Sequence, residues 1–208
     1  AGYEADDMIG TIAKKMEKQK GAETIIVTGD KDAFQLIRPG LRVYTMRKGI
    51  NDTAMYDENE VMARYGFAPK QLVDFKGLAG DPSDNIPGVK GVGEKTATDL
   101  IAAFGSIDGV YRALKKGDKK IGPALAARLR DGEEDAKFSR ELATIRTDAP
   151  VAFLLADARW SGIKGNGSVR ALFEKFGFTS LLKRLDDAGI HDKGSKIKDK
   201  GENVVALV

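Results

Sequence analysis

Apolar residues first recur with helical spacing. From about residue 5 to residue 19, Met8, Ile9, Ile12, Ala13 and Met16 fall on one stripe, and Gly21 suits the end of that helix. Thr24-Ile-Ile-Val27 is a short β-branched run that reads as a buried strand. Gly29-Asp30 follows as a turn, residues 33–37 as a short helix and residues 41–45 as a second strand. Helix, strand, helix, strand in that order predicts part of an α/β sheet. Only two strands are legible, too few for an independent doubly wound domain, so earlier strands are expected in a longer polypeptide.

Beyond Asp57 the pattern turns helical. Asp57 caps a helix reaching about Tyr65, and Pro69 suits the first turn of the next, which ends near Gly80. A glycine-rich hairpin follows, then a helix over 94–104 whose apolar face is Ala97, Leu100, Ile101 and Phe104. Ser106 caps a further helix to about Lys115, and helices are expected over 123–130 and 133–145. Residues 152–167 are less regular and hold the single tryptophan, Trp160. Short helices are expected over 169–176 and 179–188. From Gly189 to Asn203 the chain is polar, glycine-containing and lysine-rich, the composition of a linker or tail.

With 208 residues and 42% hydrophobic content, the chain can bury a core. Net charge is only +3 while 31% of residues are charged, which argues for local fields of both signs. Zero cysteines exclude disulfides and thiolate zinc sites, and the single histidine, His191, excludes histidine-rich metal sites. No apolar run approaches the length of a membrane span, and the start lacks the pattern of a signal peptide. There is no initiator methionine, and Ala1-Gly2-Tyr3 leads straight into a helix, as expected of a piece cut from a longer chain.

Acidic residues gather in three short clusters: Glu4-Ala-Asp6-Asp7, Asp30-Lys-Asp32 and Asp81-Pro-Ser-Asp84. Each has an ordinary reading. Acids at a helix start complement the helix dipole, and aspartates stabilise turns. Together they suggest more. Mg²⁺ and Mn²⁺ prefer oxygen ligands, two such ions can activate water and stabilise a leaving oxygen, and carboxylates brought together without cations repel. Gly88-Val-Lys90-Gly91-Val-Gly93-Glu-Lys95-Thr96 follows the third cluster and matches a helix-hairpin-helix pattern. Its glycines let amides approach a phosphate, and the next helix points its N-terminus at the same anion. Its ordinary reading is a plain turn between packed helices.

These motifs, with Arg146-Thr147-Asp148, resemble the 5′ nuclease domain of bacterial DNA polymerase I, within the wider flap endonuclease group whose core is PIN-like. They occur in the family's order, and the likeness reaches about Leu185. It implies an α/β fold: the C-terminal part of a PIN-like parallel-sheet core over 1–68, a helical region over 69–188 with the hairpin at 88–104, and a linker or tail over 189–208. It implies that Glu4, Asp6 and Asp7 surround a first metal, and that Asp30, Asp32, Asp81 and Asp84 complete the set toward a second. Asp6, Asp7, Asp30 and Asp32 are the catalytic candidates. Lys90, Gly91, Gly93, Lys95 and Thr96 are the DNA-binding candidates, and a potassium ion held by backbone carbonyls is implied at the hairpin.

The resemblance further implies a monomeric, cytoplasmic, nucleoid-associated bacterial enzyme joined to polymerase domains. Its substrate would be DNA with a 5′ flap or nick, including RNA primers. Family members begin with an aspartate-bearing strand and a basic arch, and none of that precedes Ala1. Little or no activity is therefore expected of these 208 residues alone. Two other readings compete. A non-catalytic duplex-binding module explains the hairpin and leaves the acids incidental. A PIN-type ribonuclease explains the acids and leaves the hairpin without a purpose.

Overall fold

A computed structural model of the chain describes residues 2–46, 52–158, 167–188 and 203–207. Trp160, His191 and residues 189–202 of the expected tail lie outside the described residues. The chain divides into two compact units, Ala1–Val151 together with Asn203–Val208, and Ala152–Glu202.

The first unit opens with α1 (Ala5–Met16), which turns Ala13 and Met16 inward as the apolar stripe predicts. Next comes β1 (Ala22–Val27), then a 3-10 turn over Lys31–Leu36 where a short helix was expected. β2 (Leu41–Met46) pairs parallel with β1, placing Ile26 opposite Val43. Both of these side chains are fully buried, as is Phe34, whose ring stacks on Tyr56 at 4.5 Å.

Two further strands enlarge the sheet beyond the two legible in the sequence. β3 (Thr53–Tyr56) runs antiparallel to β2, so the sheet is mixed and not wholly parallel. The reason is the connection. Only residues 47–52 separate these strands, and a parallel return needs a crossover of about a dozen residues or more. After the helices described next, the chain returns at Asn203–Leu207 to pair parallel with the other edge of β1, giving the order β3-β2-β1-β4 once this strand is called β4. Residues 203–207, expected as tail, are therefore strand. The β-prone run Val204-Val205-Ala206-Leu207 meets an edge of β1 that offers unpaired backbone groups.

The rest of this unit is helical. α2 (Glu58–Tyr65) is capped by Asp57, whose carboxylate accepts from Asn59 and Glu60 N–H. Pro69–Gln71 forms a 3-10 turn leading into α3 (Leu72–Ala79). Then come α4 (Glu94–Phe104), α5 (Ile107–Lys116), α6 (Pro123–Asp131) and α7 (Glu133–Ala143). Leu78, Ile101, Ile107, Val110 and Leu129 are fully buried between them, each contributing roughly 1.5–3 kcal/mol. Gly77 lets α3 come close. A Cβ there would lie 2.5 Å from Ile107 Cδ1 and 2.9 Å from the Ala136 carbonyl oxygen.

The helix expected over 133–145 stops at Ala143. Gln35 explains this, because its amide donates to the Ala143 carbonyl at 2.9 Å and accepts from Ile145 N–H at 2.9 Å. The side chain thus takes up backbone groups that another helical turn would use.

In the second unit, α8 (Gly167–Lys175) and α9 (Thr179–Asp187) pack together. Phe173 meets Phe178 edge-on at 6.0 Å, and Arg170 pairs with Asp186.

Candidate metal centre

The second and third acidic clusters meet at one end of the sheet. β1 ends at Val27, and the turn after it carries Asp30 and Asp32. Asp30 caps the 3-10 turn by accepting from Asp32 N–H at 2.8 Å. Asp81 and Asp84 reach the same place from the loop after α3. That loop is closed by reciprocal Asp81–Ile86 backbone bonds of 2.9 Å and carries Asn85 at a positive φ of 56°. Gly88 locks it in position. Its φ is +63°, and a Cβ would lie 2.2 Å from Gly80 N, so no larger residue fits without a backbone shift. Gly88 N–H also donates to Ser139 Oγ of α7 at 2.9 Å.

Asp32, Asp81 and Asp84 each offer a carboxylate oxygen, and these oxygens lie within 4.8 Å of one another. Among the described residues they are the acidic group compact enough to share one cation. A charge absent from the sequence reading sits in their midst. The Lys76 ammonium pairs with Asp32, reaches Asp81 Oδ2 at 2.6 Å and lies 3.9 Å from Asp84 Oδ2.

The electrostatics follow from that arrangement. Burial pushes Asp32 up, and Asp30 and Asp84 add to this against the opposing pull of Lys76. Burial also opposes the charge on Asp81, but its hydrogen bonds from Lys76 and Ser83 prevail and hold it below the ordinary value. Lys76 is held above its ordinary value, its desolvation outweighed by the two bonded carboxylates.

The first cluster divides. Asp6 is pushed up by burial and then by the nearby charges of Asp30 and Asp32. Asp7 turns to the main chain. Its oxygens accept from Glu4 N–H at 3.1 Å and from Arg146 N–H at 2.8 Å. Glu4 stands exposed at the N-cap of α1. Arg146-Thr147-Asp148 forms a clasp on this end. The Arg146 guanidinium lies 4.4 Å over the Tyr3 ring and pairs with Asp148, and Lys14 donates to Thr147 Oγ1 at 3.1 Å.

An open cleft of about 1020 Å³ adjoins the cluster. Its lining includes Asp30, Asp32, Lys76, Asp81 and Asp84, together with Arg64, Tyr65 and Phe75, and Glu94 and Thr98 of α4. The helix that follows the hairpin is thus also a wall of the acidic cleft. In the hairpin, Val89 and Val92 are buried as anchors while Lys90, Gly91, Gly93 and Lys95 stay exposed and Thr96 is half-buried. Arg128 of α6 donates to the Gly91 carbonyl at 3.0 Å.

Sequence reasoning missed Lys76, Arg128 and Asp74. Asp74 is buried, accepts from Ile107 N–H at 3.0 Å and so caps α5. A signal was available for the first and last of these. Asp74 and Lys76 are charges inside the otherwise apolar segment Leu72–Ala79, and buried charges persist only with partners.

Comparison with known proteins agrees with this architecture. The 5′-3′ exonuclease N-terminal resolvase-like domain matches residues 1–66, and the 5′-3′ exonuclease C-terminal SAM fold matches residues 67–166. DNA polymerase I of Bacillus caldotenax is 44% identical over 184 residues, covering 88% of this chain and 20% of that protein. DNA polymerase I of Bacillus subtilis is 42% identical over 198 residues, covering 95% of this chain and 22% of that protein. The chain therefore spans about a fifth of the length of these relatives. A bacteriophage T5 flap endonuclease, solved as a pseudo-enzyme-product complex with DNA and metal ions, superposes with a TM-score of 0.58. That match is 22% identical and covers 70% of this chain and 51% of the other, a likeness of fold. The two exonuclease domains match in order over residues 1–166, the polymerase relatives cover 88% and 95% of the chain, and the chain belongs to the 5′-3′ exonuclease family.

Proposed function

We propose that this chain forms part of a structure-specific 5′-3′ exonuclease and flap endonuclease, a metal-dependent phosphodiester hydrolase within a DNA polymerase I. The observation that carries the reading is the meeting of Asp32, Asp81 and Asp84 beside the cleft wall formed by the hairpin's own helix. Membership of the exonuclease family supports it, as do relatives that are DNA polymerases I and a fold neighbour described with DNA and metal ions.

The donor set suits a hard divalent ion, Mg²⁺ or Mn²⁺, because it is all carboxylate oxygen. Asp32, Asp81 and Asp84 would hold it, with Asp6 and Asp30 adding negative charge alongside and Glu4 and Asp7 at the start of α1. Such an ion would supply an activated water and stabilisation of the leaving oxygen. The chain's own residues do the positioning. Exposed Lys90, Lys95 and the hairpin amides at Gly91 and Gly93 offer contacts to duplex phosphates, with Thr96 beside them. For potassium at the hairpin, Arg128 already donates to the Gly91 carbonyl, which leaves that ion to other carbonyls of the turn. In this reading the substrates are 5′ flaps, nicks and RNA primers, and polymerase domains share the polypeptide.

A cleavage assay of 5′-flap DNA in Mg²⁺ with the intact polypeptide tests the proposal. Asp32→Asn is expected to cost about a thousandfold in rate, since metal stabilisation of a transition state is worth several kcal/mol. Absence of cleavage by the unaltered protein, or cleavage indifferent to Asp32→Asn, would sink it.

A further inference from the structure

We propose that Lys76 is the resident counter-cation of the carboxylate cluster, and that a divalent ion enters by displacing its ammonium group. The inference rests on the metal-centre reading above and adds to it a residue that regulates occupancy.

Geometry carries the argument. The Lys76 side chain is only 10% exposed, on a helix whose other buried residues are mainly apolar. Its ammonium contacts Asp32 and Asp81 and approaches Asp84, the same three acids whose oxygens lie within 4.8 Å of one another. One ammonium among three carboxylates keeps them from driving one another apart, yet leaves negative charge unbalanced. A Mg²⁺ ion needs oxygens at about 2.0–2.1 Å. Sharing those oxygens with an ammonium group 2.6 Å from Asp81 Oδ2 is disfavoured, because the two cations repel in a half-buried place. The exchange needs no backbone movement. Lys76 hangs on a flexible four-carbon stem and lines the open cleft, so its head can swing toward water.

Two roles follow. Without metal, Lys76 holds the turn after β1 against the loop after α3, joining residues 44 apart in sequence. With metal, its release sets the concentration at which the centre fills. An ion pair that merely braces the fold would have the opposite signature, since removing it would loosen the cluster and weaken metal binding.

The test compares the chain with its Lys76→Met variant, in which a neutral side chain of similar length replaces the lysine. Calorimetric Mn²⁺ titration is expected to show at least about tenfold tighter binding in the variant, and melting in chelator a lower Tm that Mn²⁺ restores. Equal or weaker Mn²⁺ affinity in Lys76→Met overturns the role of Lys76 and leaves the nuclease reading standing. No Mn²⁺ binding by either protein overturns the metal-centre reading and this proposal with it. A second measurement needs no variant. Acetylation of Lys76 in the unaltered chain, read by peptide mass spectrometry, is expected to rise severalfold when Mg²⁺ is added, and an unchanged or reduced rate overturns the displacement.

Discussion

Asp7 and Asp32 both belong to short acidic clusters beside the same sheet, yet their oxygens are held by different kinds of partner. Those of Asp7 accept from main-chain N–H groups, of Glu4 in its own helix turn and of Arg146 across the fold. Such donors cannot leave without local unfolding. Asp32 is held instead by the ammonium of Lys76, a side-chain partner, as is one oxygen of Asp81. The comparison teaches that acidic character alone says little about a residue's task. A carboxylate fastened to backbone helps hold the scaffold, and its remaining lone pairs stay available. One balanced by a side-chain cation is, in the proposal above, able to exchange that cation for another.

The largest expected effect comes from breaking the scaffold under the exchangeable side. Gly88→Ala forces a Cβ against Gly80 and an alanine into a left-handed backbone. It should cost about 3 kcal/mol or more in denaturant unfolding and separate Asp81 and Asp84 from Asp32. A loss below about 1 kcal/mol would show that the loop relaxes freely and that the cluster does not depend on this contact.

Next comes the fastened side itself. Asp7→Ala leaves the exposed Arg146 N–H to water and should cost about 0.5–1.5 kcal/mol of stability, while Mn²⁺ binding at the other cluster stays within about twofold. If Mn²⁺ affinity collapsed with stability intact, Asp7 would belong to the exchangeable group and the contrast would fail.

The smallest effect concerns the clasp that secures Asp7. Asp148 is held below the ordinary carboxylate value by Arg146. An acid whose folded value is depressed stabilises the fold above its unfolded value, and that contribution is lost as pH falls through the folded one. Asp148→Asn should therefore lower Tm slightly at neutral pH and by less at acid pH, as the carboxylate takes up its proton. An equal difference at both pH values would mean that packing, not charge, holds the clasp.

Much of the architecture was legible because it is written locally. Asp57 and Ser106 cap the helices they precede, and Ala97, Leu100 and Ile101 are buried as their spacing predicts. The acids of the second and third clusters were legible as residue types. Their cation was not, because a lysine on a helix ordinarily reads as a solvated face, and only the packing of α3 shows Lys76 turned inward. β3 escaped notice because it is four residues long with only Ala54 and Tyr56 buried, and β4 because a polar stretch precedes it. Gln35 gave no hint that it would end α7, being 108 residues from Ala143.

By itself, the order of residues determined helical and extended periods, their caps, the glycines that permit tight backbone, and the carboxylates available for chemistry. Those depend on interactions across a few neighbouring positions. Tertiary structure alone decided which carboxylates share a space, which are spent on main-chain N–H groups, and that a lysine stands between Asp32 and Asp81. The physical reason is range. Burial and Coulomb forces act between groups that chain folding brings within a few ångströms, whatever their separation in sequence.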